Sequence, residues 1–446
     1  MHRFKGKLPA HAPRTASLVA IVAALVAVVA VSSAGAKTGR TSAGTVVFMS
    51  TQLTPVAEQQ KFIDVTLKGF PGSVQFVPAN APSDLVTRLN AEAQAGSGQV
   101  SLAGATVGDL ETVADKLIDL SDVAAKLKNA GIPQSLWDQA KLGTNKQLSI
   151  PWMQATYLMC ANKKALPYLP KGANINSLTW GQFAQWGANL QKKFGTPEVG
   201  FPAGPSGLFP RFLQGYLVPS FTGRLVTKFE SKENAAAWLY LKNLWRFVNP
   251  QSTQYNFMQD PLLSGEVLVA WDHVARLTSA LQQKPNDFVL FPAPRGPKGR
   301  GFLPVLATVG IPKTAPDPAD AKQLILFLDN ISQQARTITE HGFFPVVGGK
   351  LSKRLSEGSL ALAAAVKLQQ AQKDAIPSVL PIGLGAQSGA YAKVFNDSFT
   401  RMVLQKEDPM TVLKDEGNQL QQLLNAAGAA CWQPDPKSNG TCQVGS

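Results

Sequence analysis

The side chains that could act as nucleophiles, general bases or metal ligands are few in this sequence. Beyond residue 36 the chain contains two histidines, His273 and His341, and neither has a His, Cys or acid partner at the spacing of a metal site. Cys160 lies in the apolar run Tyr157-Leu158-Met159, which favours a small buried hydrophobe over a catalytic thiol. The sequence therefore predicts no metal, no cofactor and no catalytic residue.

Motifs for nucleotide binding and hydrolysis are also missing. The sequence contains no Walker loop and no Gly-x-Ser-x-Gly elbow. The glycines of RGPKGRGF (Gly296, Gly299 and Gly301) lack the strand, turn and helix that surround a dinucleotide-binding loop. These absences argue against an enzyme, and we predict that the chain is not one.

The amino terminus has the pattern of a secretory signal. Residues 1–17 are basic and contain no acid, residues 18–31 form an unbroken apolar run, and residues 34–36 read Ala-Gly-Ala. The run is shorter than the roughly 20 residues of a membrane-spanning helix. We therefore predict export to the periplasm or the cell surface, with cleavage after Ala36, and an uncleaved amino-terminal anchor is the alternative.

Charge and cysteine content agree with an exported chain. The 446 residues carry a formal net charge of +14, but the basic residues are scattered and form no stripe with aromatic residues, so we expect a solvated surface and no nucleic-acid partner. Attraction to anionic surface polymers or lipid headgroups stays open. Cys431 and Cys442 enclose the polar loop CWQPDPKSNGTC. A disulfide between these two residues is plausible in an oxidising compartment.

The elements after the signal alternate between strand and helix. Strand patterns at residues 44–50, 73–79 and 99–105 are separated by helical patterns at 54–70 and 83–96. This βαβ alternation predicts a mainly parallel sheet, and ligands of such sheets bind beyond the carboxyl ends of the strands. About 410 residues remain after the signal, enough for two or three domains.

Six further segments carry a resemblance to a known family. In this order they resemble the extracellular solute-binding proteins of sugar-type ABC importers, the family that includes the maltose-binding proteins: LSIPWMQATYLMCANKKAL (148–166), INSLTWGQFAQWGANLQKKFG (175–195), ENAAAWLYLKNLWRFVNP (233–250), PLLSGEVLVAWDHVARL (261–277), FVLFPAPRGPKGRG (288–301) and ATVGIPKTAPDPADAKQLILFLDNISQQARTITEHGFFPV (307–346).

The resemblance implies a type II periplasmic-binding-protein-like α/β fold. Such a fold has two α/β lobes, a ligand cleft between them and extended hinge crossovers, of which the segment after Ile150-Pro151 would be the first. The implied boundaries are residues 44–150 with about 305–345 for lobe 1, residues 151–304 with about 350–430 for lobe 2, and a carboxyl-terminal tail from 431 to 446 that holds the disulfide loop.

The candidate ligand contacts are aromatic and hydrogen-bonding side chains along the implied cleft. A sugar presents flat C–H faces and a rim of hydroxyls, which suits this combination. The candidates are Gln52 and Thr106 after two strands, Trp152 and Gln154 in the crossing, Trp271 and Asp272 at the end of EVLVAWD, and Tyr391. For each ring the alternative is packing in a core, and for Asp272 it is the N-cap of the next helix.

The resemblance implies binding without catalysis. A monomer would bind a mono- or oligosaccharide in its cleft and deliver it to the permease subunits of an ABC importer, with ATP hydrolysed by a separate protein. Two alternatives stay open. One is a two-lobe binding or sensor protein for an anionic or polyamine ligand, which Arg211, Arg276 or Arg295 near the cleft would favour if the ligand is anionic. The other is a secreted polysaccharide-acting enzyme, which needs a second carboxylate near Asp272.

Overall fold

The computed structural model describes residues 44–348 and 355–445. The predicted signal segment, residues 1–36, lies outside them. The strands are β1 (Thr45–Ser50), β2 (Ser73–Pro78), β3 (Leu102–Thr106), β4 (Ile150–Ala155), β5 (Tyr157–Asn162), β6 (Val199–Gly200), β7 (Val269–His273), β8 (Phe288–Phe291), β9 (Arg300–Phe302), β10 (Val305–Gly310), β11 (Phe344–Pro345) and β12 (Ala375–Pro377).

The α-helices alternate with these strands. They are α1 (Val56–Lys61), α2 (Pro82–Ala95), α3 (Val107–Glu111), α4 (Ser121–Lys126), α5 (Gln134–Gln139), α6 (Trp180–Phe194), α7 (Phe209–Phe212), α8 (Val218–Thr222), α9 (Lys232–Leu244), α10 (Gln259–Ser264), α11 (Val274–Gln283), α12 (Pro318–Leu328), α13 (Ile331–His341), α14 (Glu357–Gln370), α15 (Ser388–Phe399) and α16 (Pro409–Ala427).

Lobe 1 is built on a six-stranded sheet with the order β11-β4-β10-β3-β1-β2. Strand β1 pairs in parallel with β2 and with β3, which confirms the parallel arrangement predicted from the βαβ alternation. The carboxyl ends of these three strands, at Ser50, Pro78 and Thr106, therefore share one edge of the sheet. Strand β10 is antiparallel to both β3 and β4.

Lobe 2 is built on a four-stranded sheet with the order β6-β7-β5-β8. Strand β5 is antiparallel to β7 and to β8, and β6 is parallel to β7. Helix α16 contacts both α9 and α15 in this lobe, and α14 packs against β8 and α11. The two separate sheets agree with the predicted two-lobe fold, whereas the exact lobe boundaries stay a prediction.

One of the crossings between the two lobes consists of a single residue. Strand β4 of lobe 1 ends at Ala155 and strand β5 of lobe 2 begins at Tyr157, so Thr156 alone separates them. The Thr156 hydroxyl donates to the Leu303 carbonyl at 2.9 Å, and the Tyr216 hydroxyl donates to the Tyr157 carbonyl at 2.9 Å. These bonds hold the crossing in place in the buried centre of the molecule.

Pro151 is tolerated in β4 because the ladder is irregular opposite it. A proline has no N–H to donate, so it is usually excluded from an internal strand unless a bulge is present. Pro151 pairs with Thr308 of β10, and the register of the two strands shifts between Ala307 and Thr308. The proline and the bulge thus coincide a few residues before the crossing.

Candidate ligand site between the lobes

A cavity of about 1050 Å³ lies where lobe 1 meets the carboxyl-terminal part of lobe 2. Lobe 1 contributes α3, Gln154 and the start of β10, and lobe 2 contributes residues from the segments 379–383 and 427–437. Most of the lining side chains are apolar, with a small number of amides and charged groups among them. This composition and size are typical of a site for a small molecule.

The two lobes approach each other closely at one rim of the cavity. A Cβ atom on Gly108 would lie 2.3 Å from the carbonyl oxygen of Pro381, so this approach requires a glycine. Glu111 lies one helical turn after Gly108. Burial raises the pKa of its carboxyl, and a hydrogen bond from the backbone of Gly383 opposes this rise. Helix α3 therefore contacts lobe 2 through both its backbone and a side chain.

The carboxyl-terminal loop forms a second wall of the cavity. The predicted disulfide between Cys431 and Cys442 is present. Within the loop, the Asp435 carboxylate accepts backbone N–H groups from Leu225 at 3.1 Å, Val226 at 2.8 Å and Thr227 at 3.0 Å. The loop is therefore tied to lobe 2 both covalently and by hydrogen bonds to a buried charge.

A polar cluster adjoins the cavity behind this wall. The Thr106 hydroxyl donates to the Asp109 carboxylate at 2.6 Å. Burial raises the pKa of Asp109, and the hydrogen bond from Thr106 and the positive charge of Arg211 oppose the rise. Arg211 in turn donates to the Gln214 side-chain oxygen at 3.2 Å. The cluster thus brings α3 of lobe 1 near α7 of lobe 2.

Three of the predicted contacts lie at or beside the cavity. Gln154 lines it, and its amide nitrogen donates to the Pro345 carbonyl at 3.1 Å. Thr106 directly precedes the first lining residue of α3. Tyr391 is 1% exposed and packs edge-on against the lining residue Trp432, with ring centroids 5.6 Å apart. Ligand contact by these three residues stays a prediction.

Gln52 lies at the carboxyl edge of the six-stranded sheet, as the parallel arrangement requires. Its backbone N–H donates to the Ser50 hydroxyl at 3.0 Å, and its side-chain amide donates to the Thr51 hydroxyl at 3.1 Å. The residue is half-buried and is not among those that line the cavity. Its predicted role in binding is therefore untested.

The two predicted tryptophans lie in the interiors of the two lobes. Trp152 is 2% exposed and packs against Phe48 and Phe62 in lobe 1, at centroid distances of 5.2 Å and 6.0 Å. Trp271 is fully buried and stacks on Tyr157 at 4.7 Å. Protein encloses both rings, which corresponds to the core-packing alternative, and any contact with a ligand stays a prediction.

Asp272 is also enclosed by protein. Its carboxylate accepts the backbone N–H of Met258 at 2.7 Å and that of His273 at 2.6 Å. It does not cap α11, because His273 is the N-cap residue and its Nδ1 accepts the N–H of Ala275. Burial raises the pKa of Asp272 to about 7, so the two backbone bonds only partly offset the cost of burying the charge.

Of the polar residues in the cavity wall, the sequence identified Gln154 but not Glu111, Gln139, Trp432, Gln433, Asp435 or Lys437. Glu111 ends the short helix that follows β3, so the parallel-sheet rule pointed to its neighbourhood without selecting it. Trp432 lies inside the predicted disulfide loop, where a tryptophan in an otherwise polar segment was the available signal.

The chain belongs to the family of bacterial extracellular solute-binding proteins. The model of this family matches residues 57–335, which is more than half of the chain. This match confirms the resemblance found in the sequence, and membership of an extracellular family implies that the protein is exported. Among the described residues, no helix is long and apolar enough to cross a membrane.

Solved structures of similar fold cover most of the chain. A maltose-bound MalE3 of T. maritima has a TM-score of 0.71 and 16% identity, and covers 85% of this chain and 100% of its own. UgpB of Mycobacterium tuberculosis in complex with glycerophosphocholine has a TM-score of 0.67 and 16% identity, and covers 86% of this chain and 99% of its own. Lmo0181 of Listeria monocytogenes in complex with cycloalternan has a TM-score of 0.68 and 15% identity, and covers 85% of this chain and 99% of its own. At these identities the likeness confirms the type II periplasmic-binding-protein fold. No curated protein matches the chain.

Proposed function

We propose that the protein is the extracytoplasmic binding component of an ABC importer, which takes up a carbohydrate between its lobes and delivers it to a membrane permease. The observation that carries the proposal is the cavity of about 1050 Å³, which both lobes line beside a crossing of one residue. A ligand in this position contacts both lobes at once, and such contacts exist only when the lobes are closed.

Binding and closing are therefore coupled. A ligand shifts the population toward the closed form by its differential affinity for the two forms. Thr156 and the two residues between β9 and β10 are short connections between packed lobes, which is typical of a hinge. The permease would then distinguish loaded from empty protein by the relative position of the lobes.

The character of the cavity favours an uncharged, hydroxylated ligand. Its apolar walls suit the C–H faces of sugar rings, and Gln139, Gln154 and Gln433 supply amides for hydroxyl groups. Proteins of the same fold hold maltose, cycloalternan and mannotriose, which supports the same ligand class here. We expect no hydrolysis of these saccharides.

A second candidate ligand class is anionic or zwitterionic. Arg211 does not line the cavity, but it is half-buried next to it, and among residues 44–348 and 355–445 it forms no ion pair within 4.0 Å. A phosphate or carboxylate of a ligand would find a suitable partner there. The complex of UgpB with glycerophosphocholine supports this candidate in the same fold.

A thermal-shift screen of the purified protein tests the proposal. The panel contains maltose, mannotriose, cycloalternan and acarbose on one side, and glycerophosphocholine and a polyamine on the other. A ligand at 100 times its Kd that binds only the native state adds about 2.7 kcal/mol of stability. We expect a shift with at least one saccharide. A shift with glycerophosphocholine alone would replace the carbohydrate by the second class, and unaltered melting with every compound would contradict both.

The same preparation tests the export prediction. We expect the protein secreted by its host to begin after Ala36 and to be a monomer. Intact-mass measurement gives the first residue, and light scattering gives the molar mass in solution. Retention of residues 1–36 would instead indicate an amino-terminal anchor.

A further inference from the structure

A second, smaller pocket lies in lobe 2, at the end of its sheet that is distant from the crossing at Thr156. This lobe 2 pocket has a volume of about 320 Å³ and is lined by residues at the end of β5, just before β6, at the end of α10 and just before β8. Strand β5 begins beside the crossing at Tyr157 and ends in the pocket at Asn162. At about 3.3 Å per residue, the strand separates the two by about 17 Å. The pocket is therefore distinct from the interlobe cavity and belongs to one lobe.

A buried carboxylate forms one side of the lobe 2 pocket. Glu198 is 6% exposed, and burial raises the pKa of its carboxyl. Its Oε1 atom accepts a hydrogen bond from the Thr196 hydroxyl at 2.6 Å. In the described part of the chain the other oxygen, Oε2, has no hydrogen-bond partner, yet protein does not enclose this atom completely. Oε2 therefore stays accessible from the pocket, where it can accept a hydrogen bond from a cationic group of a ligand.

Three exposed charged side chains, Lys164, Lys284 and Asp287, also line the lobe 2 pocket. The Lys284 ammonium group donates to the Leu263 carbonyl at 2.6 Å, which holds it at the pocket and leaves further N–H groups for a ligand. Among residues 44–348 and 355–445, none of the four charged residues of the pocket forms an ion pair within 4.0 Å. The pocket thus presents two positive and two negative groups that the protein leaves unpaired.

Two uncharged side chains complement these charges. The ring of Phe194 lines the pocket and is 42% exposed, although it packs edge-on against Tyr168 with ring centroids 5.5 Å apart. An aromatic face attracts an ammonium group. Asn162 is buried, and its side-chain oxygen accepts the backbone N–H of Lys164 at 3.0 Å. Its side-chain nitrogen has no partner in the described chain and is not fully enclosed, so it can donate to an anionic group.

We propose that the lobe 2 pocket binds a small zwitterion that carries an ammonium group and a carboxylate group. The ammonium group binds to Glu198 beside the ring of Phe194, and the carboxylate binds to Lys284 and to the Asn162 amide. A ligand with a single charge would leave one of these two sets of groups without a partner. The inference goes beyond the proposed function, because the pocket lies in one lobe and binding there does not require the lobes to close.

A ligand-observed NMR titration of the purified protein with three probes of equal chain length tests the charge requirement. The probes are 4-aminobutyrate with both charges, butylamine with the ammonium group alone, and butyrate with the carboxylate alone. Each charged hydrogen bond contributes enough for about tenfold or more in affinity. We expect 4-aminobutyrate to bind about tenfold or more tightly than either of the others. Binding of 4-aminobutyrate no tighter than that of butylamine or butyrate would overturn the proposal.

Two variants assign the charges to the two sides of the pocket. Glu198→Gln should weaken the binding of 4-aminobutyrate and of butylamine by about ten- to a hundredfold and leave butyrate unchanged. Lys284→Gln should weaken 4-aminobutyrate and butyrate and leave butylamine unchanged. Glu92→Gln and Lys367→Gln are the matched controls, since Glu92 is also a buried acid, Lys367 is also an exposed base, and neither lines the pocket. Both controls should stay within about twofold of the wild type.

The outcomes separate this inference from the proposed function. Binding of 4-aminobutyrate that neither pocket variant weakens would mean that the probe binds elsewhere, and it would overturn the proposal. If Glu198→Gln does not fold, the three probes on Lys284→Gln decide the question. Saturating 4-aminobutyrate should leave the affinity for a saccharide unchanged, because the two sites are separate, and mutual exclusion would overturn the separate pocket. Failure of the wild type to bind any saccharide contradicts the proposed function alone.

Discussion

An ion pair between Glu58 and Arg276 links the two lobes at a distance from the cavity. Glu58 lies on α1 of lobe 1 and Arg276 on α11 of lobe 2, and their side chains are 14% and 8% exposed. The guanidinium group also lies over the ring of Phe257, 4.5 Å from its centroid. Opening of the lobes would separate the pair and return both charges to water. The pair therefore contributes to the balance between open and closed forms.

The size of the effect follows from the burial of Arg276. Burial lowers the pKa of Arg276 to about 9, from an ordinary value of 12.5. The direction of the shift shows that burial of the Arg276 charge is costly. Removing one partner of a buried pair costs about 3 to 5 kcal/mol. We expect Glu58→Gln to destabilise the closed form by an amount in this range. The loss is limited because opening of the lobes returns the unpaired Arg276 charge to water.

Small-angle scattering of the unliganded protein measures the result. We expect a larger radius of gyration in Glu58→Gln than in the wild type, and a weaker apparent affinity for the saccharide, because the competent form is less populated. The double variant Glu58→Gln/Arg276→Gln leaves no unpaired charge and should recover part of the loss. An unchanged radius of gyration together with an unchanged affinity in Glu58→Gln would refute the idea that the pair holds the lobes together.

Three further predictions concern the loop, the pH dependence and the hinge. Replacing Cys431 and Cys442 by Ser should destabilise the protein by about 3 kcal/mol for a loop of this length, measured by urea unfolding, and should weaken saccharide binding, measured by titration. Burial lowers the pKa of His341 to about 3, so the stability it contributes is complete above its ordinary pKa of 6.5 and is lost as the pH falls. This loss should reach about 3 kcal/mol between pH 7 and pH 4, and it should be absent in His341→Asn. Thr156→Val should cost about 1 to 3 kcal/mol, because the Leu303 carbonyl loses its donor. A melting temperature equal to that of the wild type would contradict this.

The sequence predicted the elements more reliably than the contacts of single side chains. The alternation of strand and helix was sufficient to predict that β1, β2 and β3 pair in parallel, because parallel pairing follows from the order of the elements. The sequence predicts where along the sheet a residue at the end of a strand lies. The alternation of side chains along the strand does not tell whether that residue faces a cleft or a core. Trp271 is an example, since β7 lies inside its sheet and the ring stacks on Tyr157 of the neighbouring strand.

The partners of Asp272 could not be predicted from neighbouring residues. One of its two donors, the N–H of Met258, comes from the segment just before α10, and only the tertiary fold brings it to the end of β7. The alternative role considered for Asp272 was the N-cap of the next helix. In the structure the following residue, His273, is the N-cap of α11. An acid that follows an apolar strand needs polar partners, because burying an unpaired charge is costly. The identity of the partner required the structure.

The disulfide loop connects the compartment of the protein with its binding site. The sequence makes a disulfide between Cys431 and Cys442 plausible in an oxidising compartment, and the loop they close is a wall of the cavity. Without the bridge, the position of Trp432 would depend on the Asp435 hydrogen bonds and on packing against Tyr391. Because a disulfide persists only outside the reducing cytoplasm, this wall reaches its final rigidity after export, in the compartment where a solute-binding protein meets its ligand.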